Sequence, residues 1–140
     1  MSDNWYETKV RVRYAETDQM GIVHHANYLI WFEVGRSELC RHKGFSYQEM
    51  EDEADSLLIV AEARARYKSS AFYDDLLTIR TKVAEIRSRS IRFVYEIYRE
   101  SDDTILVEGE TLHLVTDKGK RVKSLPAEYR LRLAEPTKGA

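Results

Sequence analysis

The sequence holds a single cysteine, Cys40, so no internal disulfide can form, and no CxxC or Cys/His pair at metal-ligand spacing surrounds it. Redox and metal chemistry are not expected. No stretch approaches the roughly 20 apolar residues that cross a bilayer, and the polar start Met1-Ser2-Asp3-Asn4 lacks the charged and apolar regions of a signal peptide. Membrane insertion is not expected, and the cytoplasm is the expected location. Charge of one sign is not in excess either: 22 Lys+Arg stand against 24 Asp+Glu, for a net charge of -2. That balance leaves no broad positive field of the kind nucleic-acid binding needs.

What is present is a chain of 140 residues with 43% hydrophobic and 33% charged residues. This is the composition of a globular domain, and one of this length buries roughly 70% of the surface its unfolded chain exposes. A single domain over residues 1–140 is expected, with its core at about 6–133 and a frayed C-terminal tail. Between Tyr6 and Tyr14 the apolar Val10, Val12 and Tyr14 alternate with Lys9, Arg11 and Arg13, which predicts a half-buried strand ending at Tyr14. From Asn27 to His42 the residues Tyr28, Trp31, Phe32, Gly35 and Leu39 recur at three and four positions, which predicts one long helix with Asn27 as its N-cap. Gly44 suits that helix's C-terminus, and Ser46 opens a short helical turn reaching Glu53.

Four β-type stretches follow, Leu57 to Tyr67, Leu76 to Ile86, Ser90 to Glu100 and Thr104 to Thr116. In the third, Ile91, Phe93, Tyr95 and Ile97 face one way. Ser101-Asp102-Asp103 and Asp117-Lys118-Gly119 are turn clusters of a meander. A short strand Arg121 to Lys123 and a terminal helix opening at Pro126 and running to about Leu133 complete the reading. Strand, long helix, then strands is an α+β layout, one helix against a curved antiparallel sheet. One helix cannot cover such a sheet and its edges, so a homo-oligomer is expected.

The chemistry concentrates in Tyr14-Ala15-Glu16-Thr17-Asp18-Gln19-Met20-Gly21-Ile22-Val23-His24-His25-Ala26-Asn27-Tyr28, between the first strand and the long helix. Unpaired amides at a helix start carry the positive end of the helix dipole and polarise a carbonyl oxygen placed against them. Gly21 lets the loop bend so that the Asp18 carboxylate can meet such a site. This stretch resembles the 4-hydroxybenzoyl-CoA thioesterase-like hotdog family, and within it the acyl-CoA thioesterase branch associated with the Tol-Pal system. The pattern Tyr-x-x-Thr-Asp-x-x-Gly-(Ile/Val)-Val-x-His-Ala-x-Tyr is matched by Tyr14, Thr17, Asp18, Gly21, Ile22, Val23, His25, Ala26 and Tyr28. The likeness continues through Phe32-Glu33, Arg36, Tyr67, Asp74-Asp75 and Arg87-Ser88. One departure stands out: many relatives have proline before the alanine that follows the Tyr67 strand, and here Ser70 precedes Ala71.

The resemblance implies a hotdog fold, a long central helix wrapped by a curved antiparallel sheet, with the active site between protomers of a dimer or tetramer. It implies hydrolysis of a short-chain or aromatic acyl-CoA, with Asp18 as the catalytic carboxylate. The His25 N–H would polarise the thioester carbonyl, while Tyr14 and the His25 ring line the site and Gly21 and Val23 contact the substrate. Asp18 serves either as nucleophile or as general base on a water. Coenzyme A enters as part of the substrate, and no metal or organic cofactor is implied. Its phosphates need cations, for which Arg87 and Arg89 are candidates, although a cluster with Arg92 is also what a solvated face looks like. Taken alone, Asp18 would be a turn residue and His25 a cap. Release of product from an acyl carrier protein, or acyl-CoA binding without catalysis, are the alternative functions.

Overall fold

The computed structural model describes residues 4–137, so the first three and last three residues, part of the expected frayed tail among them, lie outside the described residues. The elements run β1 (Tyr6–Arg11), a 3-10 turn (Tyr14–Glu16), α1 (Asn27–His42), α2 (Tyr47–Ala54), β2 (Leu57–Tyr67), β3 (Leu76–Ile86), β4 (Ser90–Arg99), β5 (Thr104–Thr116) and α3 (Ala127–Ala134). The strands form one five-stranded antiparallel sheet in the order β1-β3-β4-β5-β2. The meander is therefore β3-β4-β5. β2 precedes it in sequence but lies at the far edge beside β5, and β1 lies at the other edge beside β3. No described helix is long and apolar enough to cross a membrane.

Alternation along β4 and β5 decides which face of the sheet is dry. Ile91, Phe93, Tyr95 and Ile97 are all buried, as are Val107, Thr111, His113 and Val115. Their outward neighbours Arg92, Glu96, Glu108 and Glu110 carry charge and pair across strands, Arg92 with Glu110 at 2.7 Å and Arg80 with Glu96 at 2.9 Å. α1 buries Tyr28, Trp31, Phe32, Gly35, Leu39 and Cys40. Burial pushes the Cys40 thiol up to about 12, so it is an inert packed group.

One row across the sheet sets how closely α1 can approach. Thr81, Tyr95, Gly109 and Ala65 are register neighbours on β3, β4, β5 and β2. The Phe32 ring stacks on Tyr95 with centroids 4.3 Å apart, and Gly109 leaves the room its edge occupies. A Cβ at Gly109 would lie 2.4 Å from Phe32 Cζ and 2.6 Å from the Arg64 carbonyl oxygen, and one at Gly35 would lie 2.3 Å from Thr81 Oγ1.

The boundaries depart from the sequence reading in a few places, each with a local cause. β1 stops at Arg11, because the Val12 N–H donates to Asp75 O and Val12 O accepts the Asp74 N–H, which turns the chain. Tyr14 thus leaves the sheet and is 77% exposed. Ala26, with helical backbone angles, is the N-cap of α1, while Asn27 is its first residue and sends its side chain back to the Glu16 carbonyl. β4 ends one residue early, at Arg99. The expected strand Arg121–Lys123 is reduced to a single bridge, Thr116 with Val122. The C-terminus of α1 follows expectation: Gly44 at φ +97° lets its N–H reach Arg41 O and the Phe45 N–H reach Cys40 O.

Two outcomes follow from this packing. Gly109→Ala should lose about 1–3 kcal/mol of unfolding free energy, because its Cβ would face backbone as well as a ring; a urea titration checks it. His113, buried and hydrogen-bonded to Thr111 Oγ1 at 2.8 Å, is held down to about 4 by burial and then by the Arg36 charge. The unfolded chain binds that proton near 6.5 and the folded chain does not, so this stability is present above pH 6.5 and falls away toward pH 4, by about 3 kcal/mol. Urea midpoints across this range should fall less steeply for His113→Gln than for the wild type.

Candidate active site

The segment from Thr17 to Val23 is a small closed loop. A β-bridge joins Thr17 to Val23, the Asp18 N–H donates to Ile22 O at 2.8 Å, and the Gly21 N–H donates to Asp18 O at 2.9 Å. Gly21 closes it at φ +82°, with open space around the position of a Cβ. The Asp18 carboxylate stays at the loop's base because its Oδ1 accepts the Met20 N–H at 2.8 Å. It is half-buried, while Gln19, Met20 and Gly21 are exposed.

The loop is latched to the start of α1 through Glu16. The carbonyl oxygen of Glu16 accepts the His24 N–H and the Asn27 Nδ2 amide, both at 2.9 Å. Its buried carboxylate accepts the Arg13 N–H at 2.7 Å and the Arg13 guanidinium at 3.2 Å. On the other side the Val23 N–H donates to Ala71 O, and the Ala71 N–H donates to the Tyr28 hydroxyl at 3.1 Å. Burial raises the Tyr28 phenol above its ordinary value, so it stays protonated.

Ser70 does not leave this loop slack. Arg99 donates to Ser70 O at 2.9 Å and to Asp75 Oδ2 at 3.2 Å, and the same carboxylate oxygen accepts the Phe72 N–H.

These contacts tie the loop that carries the Asp18 carboxylate to the N-terminus of a sixteen-residue helix with no acidic residue in its first turn. Among the described residues no acceptor meets the main-chain N–H of His25 or of Ala26. Two free donors at the positive end of a helix dipole can bind an oxygen on which negative charge builds. The rings of His24 and His25 are exposed beside them, 4.5 Å apart between centroids.

Of the residues singled out in the sequence, Asp18 and Gly21 share the closed loop, and His25 follows the His24 N–H that latches that loop to the helix start. Tyr14 borders them: its carbonyl accepts Thr17 Oγ1 at 2.7 Å, and its exposed ring meets Tyr73 edge-on. Val23, expected to contact substrate, is 3% exposed and packs in the core. Arg87 and Arg89 are not brought to Asp18 within the chain. They lie in the β3–β4 turn, whereas the loop packs by Ala71 and Val12 at the opposite end of β3, a separation of roughly 30 Å along eleven residues. Arg87 instead pairs with Glu85 at 3.1 Å. Sequence reasoning passed over Glu16 and gave Tyr67 no role, although the Tyr67 hydroxyl donates to His25 O at 3.2 Å. The only sequence signal for Tyr67 is its part in the family resemblance.

The model of the thioesterase-like superfamily matches residues 12–133. The acyl-CoA thioester hydrolase YbgC of Escherichia coli O157:H7 is 33% identical over 135 residues, covering 93% of this chain and 99% of that protein. Among solved structures, a DHNA-CoA thioesterase from Staphylococcus aureus superposes with a TM-score of 0.86 at 29% identity, over 91% of this chain and 87% of that one. The 4-hydroxybenzoyl CoA thioesterase from Pseudomonas sp. strain CBS-3 shares the hotdog fold, with a TM-score of 0.84 at 21% identity over 92% and 99% of the two chains.

Gly21→Ala tests the loop without touching its charges. The left-handed backbone angle alone should make it about 1–2 kcal/mol less stable than the wild type, while Gly21→Asn should lose less; thermal melts of the three proteins decide.

Proposed function

The chain belongs to the thioesterase-like superfamily, and from that premise we propose that it is an acyl-CoA thioester hydrolase in which Asp18 is the catalytic carboxylate. The observation that carries this reading is the pairing of the Asp18 loop with two unclaimed main-chain N–H groups at the start of α1. A thioester has little resonance stabilisation and a good thiolate leaving group. The enzyme needs only to polarise the carbonyl and aim an oxygen nucleophile, and one carboxylate with a helix N-terminus supplies both. The His25 N–H polarises the acyl oxygen, while Asp18 either attacks the carbonyl carbon or takes a proton from an attacking water. No metal or organic cofactor enters this route. Substrates are short-chain or aromatic acyl-CoAs, and the cytoplasm, where such thioesters are made and used, is the place of action.

The active unit in this reading is a homo-oligomer with the site at a protomer boundary. β2 has one unpaired edge along eleven residues, with Val60 and Tyr67 each 47% exposed, and a long bare edge of this kind invites a second strand. Apolar groups also stand uncovered around the site: Tyr14 and Met20 beside Asp18, and Leu29 and Ile30 on the first turn of α1. A second copy would cover them and exclude water from the carbonyl. It would also offer its own Arg87 and Arg89 to the phosphates that this chain's pair cannot reach.

Thiol release from a panel of aliphatic and aromatic acyl-CoAs tests the activity. Asp18→Asn should lower kcat by at least about a thousandfold with thermal stability kept; near-wild-type turnover by that protein would remove Asp18 from the mechanism. Prior treatment with a chelator should leave the wild-type rate unchanged.

A further inference from the structure

Tyr67 is the last residue of β2, and it is the point where that strand grips the start of α1. Its hydroxyl donates to the His25 carbonyl at 3.2 Å. Its ring meets two aromatic rings edge-on, that of His25 at 6.2 Å and that of Tyr28 at 5.5 Å between centroids. Tyr28 is itself held by the Ala71 N–H on its hydroxyl. Among the described residues the same His25 carbonyl accepts one other bond, from the Tyr28 N–H at 3.3 Å. The Tyr67 hydroxyl is therefore one of its two restraints, and the one that comes from outside the helix start.

The peptide plane that carries His25 O also carries the Ala26 N–H, while the adjoining plane of the His25 N–H is held through its own carbonyl, His24 O, which accepts the Asn27 N–H at 3.0 Å. Peptide planes are rigid, so a hydrogen bond that fixes the carbonyl fixes the direction of the amide opposite it. The Ala26 N–H, like that of His25, meets no acceptor among the described residues. Resting on the thioesterase reading above, we propose that Tyr67 is a positioning residue. It aims the Ala26 N–H, the second donor open to the acyl oxygen beside that of His25, acting through the His25 carbonyl and not on the substrate.

Tyr67→Phe isolates the effect, because it removes one oxygen and keeps both ring contacts. Its kcat should fall about tenfold, part of what a missing oxyanion donor costs, with KM, melting temperature and the shape of the pH–rate profile unchanged. Amide hydrogen exchange over residues 24–28 should quicken. A kcat within twofold of wild type, or unchanged exchange in this segment, overturns the proposal. So does loss of a basic limb from the pH profile, since the hydroxyl would then be exchanging a proton with the substrate. Failure of the thioesterase reading shows separately, as a wild-type protein that leaves every acyl-CoA in the panel intact. In that event the exchange comparison alone decides whether Tyr67 orders the helix start.

Discussion

The close seating of α1 on the sheet is the contact from which the rest of the arrangement follows. Phe32 stacks on Tyr95 while its edge fills the space above Gly109, and Gly35 lies against Thr81. Four register neighbours on adjacent strands thus present a surface that is large at one point and small on either side of it. A helix packed at this distance has little freedom to slide, because both glycines would need room that the sheet does not have. With the middle of α1 fixed, its N-terminus is fixed too, and the unclaimed amides of His25 and Ala26 stand at a set place above the edge of the sheet.

The site is then assembled by short-range bonds that each serve two elements. Glu16 closes the 3-10 turn with its carboxylate and receives the helix start with its carbonyl. Ala71 joins the Asp18 loop to Tyr28, and Arg99 holds the same segment from the end of β4. This explains how a loop rich in polar residues and closed by a left-handed glycine stays ordered without a core of its own. The N–H groups of Asp18, Met20, Gly21, Val23 and His24 all have acceptors, whereas among the described residues those of His25 and Ala26 at the helix start have none.

The charged face of the sheet contributes differently. Its pairs, such as Arg92 with Glu110 and Arg80 with Glu96, are partly exposed, and pairs of this kind add little to stability individually. Their effect is to keep that face polar. Uncovered apolar groups stand at the β2 edge and around the helix start, which is where a second copy belongs in the proposed active unit.

Element type and most boundaries were readable from the sequence because they depend on local periodicity. α1, β2, β3 and β5 begin and end where the hydrophobic repeat does. The family was readable because the run from Tyr14 to Tyr28 is long and specific. Tertiary contact decided the remainder. β1 ends where Asp74 and Asp75 arrive from a distant loop, and β2 crosses to the far edge because strand order is a property of pairing and not of pattern. Arg87 and Arg89 are separated from Asp18 by the length of a strand that composition cannot orient. The roles of Glu16, Tyr67 and Arg99 rest on bonds to residues far off in the chain or on a carbonyl's direction, neither of which a residue's own letter specifies.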